Sequence, residues 1–246
     1  MRRLGQFQCA SLPKKGTAYG LKFLKRWAKE KDIKYFIKLD IRKCFPSIPQ
    51  DKLLAFLDKY IANPELLWLI HTLIATFPQG LCIGSYLSQY LCNLYLSQLY
   101  HHLEQDLFYT RRGRRIKCAK HILFYMDDII LLGTNAQKLR TAGKEAAKFS
   151  KEILGLDVKM NWGVEPIGNG IDMLGFRIYP TYTTIRSRIF LRLRRAFKHH
   201  LARKLPSYWG YLLATNSFNI ISTLNIKRGD LNGNRIHCRT AASGCG

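Results

Sequence analysis

Ile122-Leu123-Phe124-Tyr125-Met126-Asp127-Asp128-Ile129-Ile130-Leu131-Leu132 decides how the chain folds. Two apolar arms flank a polar pair, the pattern of a tight β-hairpin. The polar pair is two carboxylates. Aspartate is common in turns because its side chain bonds the local backbone, so the pair by itself does not separate structure from chemistry. A second carboxylate lies upstream, where Tyr35-Phe36-Ile37-Lys38-Leu39 reads as a short strand that delivers Asp40 at its end. If the two strands are neighbours in one sheet, Asp40, Asp127 and Asp128 meet.

Working outward, a basic amphipathic helix is expected over 19–30. Pro46 and Pro49 break the chain before a helix over about 51–60, and Pro64 opens another to about Thr76. Pro78-Gln79-Gly80 is a turn, and 81–107 is expected to be the longest helix, with Leu87, Leu91, Leu94 and Gln98 at helical spacing. Arg111-Arg112-Gly113-Arg114-Arg115 is a charged loop that either touches phosphates or is simply solvated. Past the hairpin, Asn135 caps a helix that Gly155 ends. Strands are expected over 157–160 and 174–179. A helix beginning at Ser187 carries the stripe Ile189, Leu193, Phe197 and Leu201 between basic residues. This order predicts an α+β layer, with helices on one face of a small antiparallel sheet and the other face free for a ligand.

The 40 basic residues against 16 acidic ones give a formal charge of +24, which opposes compaction unless a polyanion is nearby and points to nucleic acid. The charge is uneven: 1–38 hold 11 basic and 2 acidic residues, 181–246 hold 12 and 1, and the middle keeps most carboxylates. Basic ends flanking a balanced centre suit a phosphate backbone held at the ends while chemistry proceeds between them. Seven scattered cysteines never take zinc spacing and read as reduced thiols, with Cys44, Cys82 and Cys92 as small core residues. No apolar run suggests a membrane span or a secretory leader, so a cytoplasmic location and no membrane partner are expected.

Adding a nucleotide requires a 3′-hydroxyl to attack an α-phosphate while pyrophosphate leaves, and two divalent ions held by converging carboxylates suit that charge development. Tyr125-Met126-Asp127-Asp128 resembles the Tyr-x-Asp-Asp box of reverse transcriptases, and 38–48, Lys38 to Ile48, resembles their first aspartate box. Gln79-Gly80-Leu81-Cys82-Ile83-Gly84-Ser85-Tyr86-Leu87-Ser88-Gln89 is similar to the box that packs against nucleotide and template. Leu154-Gly155-Leu156 with Lys159 resembles the next box, and Met173-Leu174-Gly175-Phe176 the primer grip. Five boxes fall in family order over 35–180. Within the family, Ser88-Gln89 in place of Ser-Pro looks most like the enzymes of diversity-generating retroelements and their bacterial relatives.

The resemblance implies a right-hand polymerase: partial fingers over 1–38, a palm with inserted fingers helices over 39–180, an abbreviated helical thumb over 181–228 and a poorly ordered tail over 229–246. It implies Asp40, Asp127 and Asp128 as catalytic residues holding two Mg2+ ions, for which Mn2+ can substitute, with the Ile41 carbonyl as a further ligand. Phe45 would sit beneath the sugar and exclude a 2′-hydroxyl, Gln79, Gly80, Ser88 and Gln89 would contact the nucleotide, and Lys159 would protonate pyrophosphate. Leu174, Gly175 and Phe176 would grip the primer, and Arg188, Arg192 and Arg195 would lie along nucleic-acid backbone. Implied partners are an RNA template, a DNA or RNA primer, deoxynucleoside triphosphates and a retroelement accessory protein. The competing readings are a nucleic-acid-binding protein on a polymerase-like scaffold without turnover, and a template-independent or defence-associated polymerase.

Overall fold

The computed structural model describes residues 4–198 and 210–216, with side chains to 196 in the first stretch. Along the chain come helix Thr17–Ala28 (α1), strand Tyr35–Asp40 (β1), and helices Cys44–Ser47 (α2), Gln50–Asp58 (α3), Pro64–Ala75 (α4) and Tyr86–Gln105 (α5). Strands Phe108–Arg111 (β2), Arg114–Lys117 (β3), His121–Tyr125 (β4) and Asp128–Gly133 (β5) follow, then helix Ala136–Glu152 (α6). Strands Val164–Pro166 (β6), Ile171–Met173 (β7), Phe176–Ile178 (β8) and Thr183–Ile185 (β9) precede helix Ser187–Lys198 (α7). The chain divides into two compact units between Asn169 and Gly170.

The first unit is built on an antiparallel sheet in the order β4-β5-β1-β6. Because side chains alternate along a strand, Ile37, Leu39, Ile122, Phe124, Ile129 and Leu131 share one face. There they pack with Leu91, Tyr95 and Leu99 of α5 and Leu139, Ala142 and Ala146 of α6. The hairpin, the strand ending at Asp40 and the Asn135 cap, whose side chain accepts from the Lys138 amide at 3.0 Å, all stand where the sequence places them. The long helix starts at Tyr86, after Gly84 takes a φ of 95°, a conformation that stops helix from extending back to Leu81.

The opposite face is partly covered. Along β4, α1 stacks Trp27 on His121 with ring centroids 4.6 Å apart, and Thr17 Oγ1 lies 3.2 Å from the Tyr125 hydroxyl. The segment before α1 joins the sheet directly. Gln8 bridges parallel to Phe124, the Cys9 amide donates to Phe124 O and the Phe124 amide to Phe7 O, both at 2.9 Å. The buried Gln8 side chain fastens this strap, donating to Asn93 O at 2.7 Å and accepting from the Gly5 amide, while Asn93 donates to Ala10 O.

Other local expectations change. The charged 111–115 run is the turn end of a two-stranded ribbon, β2 with β3. Residues 157–160 make one isolated bridge, Val158 with Ile41, rather than a strand. Cys44 and Cys92 are buried with sulfurs 3.5 Å apart, but Cys82 is exposed on the surface turn before α5.

In the second unit, β7, β8 and β9 form a small antiparallel sheet. Leu174 and Gly175, with φ of 57° and 86°, turn the chain sharply between β7 and β8, so the strand expected from Leu174 begins at Phe176. α7 buries Leu193 and Ala196 and leaves its arginines exposed. Leu201 and the 229–246 tail lie outside the described residues. Among the described residues no helix is long and apolar enough to cross a membrane.

Candidate active site

β1 and β5 run antiparallel with Asp40 directly opposite Asp128. Directly opposed residues hold their Cβ atoms about 4.5–5.5 Å apart, and like charges there are destabilising. Asp127 occupies the two-residue loop between Tyr125 and Asp128, and its carbonyl accepts from the Ile41 amide at 3.1 Å, which locks the end of β1 to the hairpin tip. Met126 supplies the turn by taking a φ of 54°, the left-handed region that costs a side-chain-bearing residue about 1–2 kcal/mol. The three aspartates, 87 residues or more apart in sequence between Asp40 and the pair, thus meet at one end of the sheet.

Two lysines offset the crowding of charge. Lys38, two positions before Asp40 on the same face of β1, lies 3.0 Å from Asp128 Oδ1. Lys159 Nζ lies 2.8 Å from both carboxylate oxygens of Asp40 and donates to Oδ2. The backbone sets this up: the Lys159 amide donates to Asp40 O at 2.9 Å and the Arg42 amide to Asp157 O at 2.8 Å. Burial, followed by the charges of Asp128 and Asp40, pushes the Asp127 carboxyl above its ordinary value, while Lys159 works in the opposite direction. The ion pair with Asp40 holds the Lys159 ammonium above its ordinary value.

The donor set fits a hard cation in part. Asp40 Oδ1 is closed off from solvent and receives no directed hydrogen bond, and the Ile41 carbonyl accepts no backbone hydrogen bond among the described residues. Among the described residues no three His, Cys, Asp or Glu side chains enclose an ion by themselves. An ion here would need further oxygens from substrate or water, the coordination that magnesium favours.

Of the residues expected to border a nucleotide, Phe45 and Gly80 are brought together just after Asp40. Phe45, on α2, is half-buried against the core, and Gly80, at a φ of 55°, packs so closely that a Cβ would lie 2.5 Å from Phe45 O and 2.6 Å from Pro46. The Leu81 amide donates to Phe45 O at 2.8 Å. Gln79 is exposed and Gln89 half-buried, whereas Ser88 is enclosed with its hydroxyl unpartnered. A residue that sequence reasoning passes over holds this turn: Gln50 Nε2 lies within 3.3 Å of the carbonyls of Ile74, Phe77 and Gly80. A glutamine at the start of an amphipathic helix carries no signal of such a role. Beside Lys159, a pocket is lined by Arg42, Lys148 and Lys151.

The remaining sequence-predicted residues belong to the second unit. Gly175 is packed against Tyr211 and Ile189, Phe176 against Tyr211 with ring centroids 5.1 Å apart, and the Arg186 amide donates to Gly175 O. Arg188, Arg192 and Arg195 are exposed on α7 at a spacing that aligns them on one face.

A small antiparallel sheet with carboxylates at adjoining strand ends and helices behind it is the palm layout of a right-hand polymerase. The chain belongs to the reverse transcriptase (RNA-dependent DNA polymerase) family, whose model matches residues 2–176. Among solved structures it is similar to apo telomerase from Candida tropicalis, with a TM-score of 0.55 and 14% identity over 74% of this chain and 37% of that one. It is also similar to Candida albicans telomerase in complex with a TWJ fragment of telomeric RNA, with a TM-score of 0.53 and 14% identity over 92% of this chain and 42% of that one. At that identity the likeness is one of fold, and the chain spans about two fifths of the telomerase chains. No curated protein matches the sequence.

Proposed function

We propose that this chain is an RNA-directed DNA polymerase that extends a primer 3′-hydroxyl with deoxynucleotides. The observation that carries the reading is the convergence of Asp40, Asp128 and the adjoining Asp127 on one half-exposed sheet end. A non-catalytic binder gains nothing from aiming three carboxylates at its own phosphates, so turnover is the better account of the cluster.

Asp40, Asp127 and the Ile41 carbonyl would hold two Mg2+ ions, with Asp128 supporting the site. Bound there, the ions lower the cost of charge on the attacking and leaving oxygens, and Mn2+ can substitute. The chain's own residues do the rest. Phe45, whose carbonyl is held by the Leu81 amide beside Gly80, would sit beneath the sugar and exclude a 2′-hydroxyl. Gln79, Gly80 and Gln89, backed by the enclosed Ser88, border the nucleotide. Lys159, paired with Asp40, would release it and give a proton to the departing pyrophosphate.

In the second unit, the tight turn of Leu174, Gly175 and Phe176 would position the primer, and Arg188, Arg192 and Arg195 would follow its backbone. In domain terms, partial fingers would span 1–38, the palm 39–180 and a short helical thumb 181–228, which includes α7. Gln89 beside Ser88 favours an enzyme of a bacterial or phage retroelement, most like the diversity-generating kind, which would work in the cytoplasm with an RNA template, a DNA or RNA primer and an accessory protein.

Primer extension on RNA and DNA templates, with deoxy- and ribonucleotides in parallel, tests the reading. Wild type should extend on RNA with deoxynucleotides, and Asp127→Asn should lose about a thousandfold or more in rate, the several kcal/mol expected when an ion-holding carboxylate is removed. Equal rates in both proteins would place the chemistry elsewhere, and a wild type that binds primer–template without extending it would favour the binding protein.

A further inference from the structure

We infer that the β2–β3 ribbon is a second nucleic-acid contact that grips the phosphate backbone of an RNA helix away from the catalytic carboxylates. The choice of RNA rests on the polymerase reading above; the binding surface itself rests on the ribbon. Five of the seven residues from 111 to 117 are Arg111, Arg112, Arg114, Arg115 and Lys117. All five are exposed, and among the described residues none has an acidic side chain within ion-pair distance.

The fold maintains this charge against local cost. Arg111 pairs directly with Arg114 across the ladder, an arrangement that is destabilising between like charges. Arg112 and Gly113, with φ of 50° and 71°, form the two-residue turn in which both central residues are left-handed, and Arg112 takes that strain although glycine or asparagine would fit more easily. The root is braced. The Arg115 guanidinium sits 4.0 Å from the centre of the Phe108 ring, and Lys138 of α6 lies 4.9 Å from that of Tyr109. Charge concentrated at the tip of a braced arm, without internal counterions, calls for an external polyanion.

The distribution of charge selects the polyanion. Opposed residues share a face, so Arg111 and Arg114 point one way, Arg115 and Lys117 the other, and Arg112 lies at the tip. An acidic protein surface would be met by one face. Cations on both faces and at the tip suit phosphates met on two sides, as where a protein lies across the wide, shallow minor groove of an A-form RNA helix and holds it by backbone and shape. The location separates this contact from the catalytic one. The Lys120 amide bonds Leu132 O and the Cys118 carbonyl lies close to Gly133, so the ribbon is rooted at the end of β5 opposite Asp128, about 17 Å of strand away. Nucleic acid held there is a helix remote from the primer end, such as a stem in the template RNA.

Binding by fluorescence anisotropy over a salt series tests this, comparing a minimal primer–template with one carrying an added RNA stem. Replacing Arg111, Arg112, Arg114 and Arg115 with alanine should weaken binding to the stem-bearing RNA and make its log K against log salt slope shallower by about 3, at close to one unit per phosphate contact. The quadruple lysine variant should retain most of both, since charge rather than fork geometry carries the contact. Binding and extension of the minimal primer–template should not change.

Unchanged affinity and slope for the stem-bearing RNA would overturn the inference. So would an equal loss on the minimal substrate, a preference for a DNA stem, or equal binding of a polyglutamate peptide. If the alanine protein misfolds, the single tip variant Arg112→Glu takes its place. Anisotropy needs no turnover, so a wild type that never extends a primer would refute the polymerase reading while this measurement still stands by itself.

Discussion

Gly80→Ala probes the junction between the Asp40 loop and the nucleotide-side turn. Holding alanine at a φ of 55° costs about 1–2 kcal/mol. The new methyl group would also lie 2.5 Å from Phe45 O and 2.6 Å from the Pro46 carbonyl, and these are backbone atoms that cannot swing aside. Relieving the overlap separates the two segments and weakens the bond from the Leu81 amide to Phe45 O, worth about 1 kcal/mol. The expected loss is about 2–4 kcal/mol, together with a rise in KM for deoxynucleotides as Phe45 moves. Urea unfolding measures the first and steady-state primer extension the second. Gly113→Ala is the control, because its φ is 71° but nothing lies within 4 Å, so it should show the conformational cost alone. Equal losses for the two variants, or an unchanged KM in Gly80→Ala, would refute the packing account.

Three further outcomes are expected. Gln50→Ala strips a donor from a site shared by three carbonyls and should cost about 1–3 kcal/mol in urea unfolding, with Gln50→Glu no better because a carboxylate cannot donate. Lys159→Met should lower the single-turnover rate by about a hundredfold or more and alter its pH profile, the effect of losing a general acid rather than a binding contact. Asp127→Asn should stabilise the metal-free protein at neutral pH. The Asp127 carboxyl lies above its ordinary 3.8 in the folded chain, so it favours folding when protonated and loses that contribution as pH rises through the raised value. Thermal melts should therefore separate wild type from variant at pH 7 and bring them together as pH falls to the ordinary aspartate range.

The parts of this fold legible in the sequence are those with a strong local period or a strong stop. Ile122 to Leu132 announces a hairpin because apolar arms of matched length surround a polar pair. Pro64, Asn135 and Gly155 punctuate helices by backbone chemistry that needs no tertiary context. The β2–β3 ribbon was hidden because arginines replace the apolar side of its alternation, so it reads as a charged loop. Strands β6 to β9 are three residues each, too short to show a period. The strand expected around Val158 reduces to one bridge because the chain there serves to bring Lys159 to Asp40. Among site residues, the aspartates stood out as charges inside apolar runs. Gln50, Lys38 and the strap carrying Gln8 gave no such contrast, since their partners lie 24 to 116 positions away.

The strap has a bearing on how the protein behaves at high concentration. Without it, β4, the outer arm of the hairpin that carries Asp127 and Asp128, would present a bare row of amides and carbonyls, and such a border invites pairing with another copy. The far border is already blunted, because β6 is short and ends in Pro166, which has no amide to offer. Two main-chain bonds at Phe124, fastened by one enclosed glutamine, therefore guard the vulnerable side. Weakening that clasp would show first as aggregation seeded from the β4 edge, before any loss of global stability.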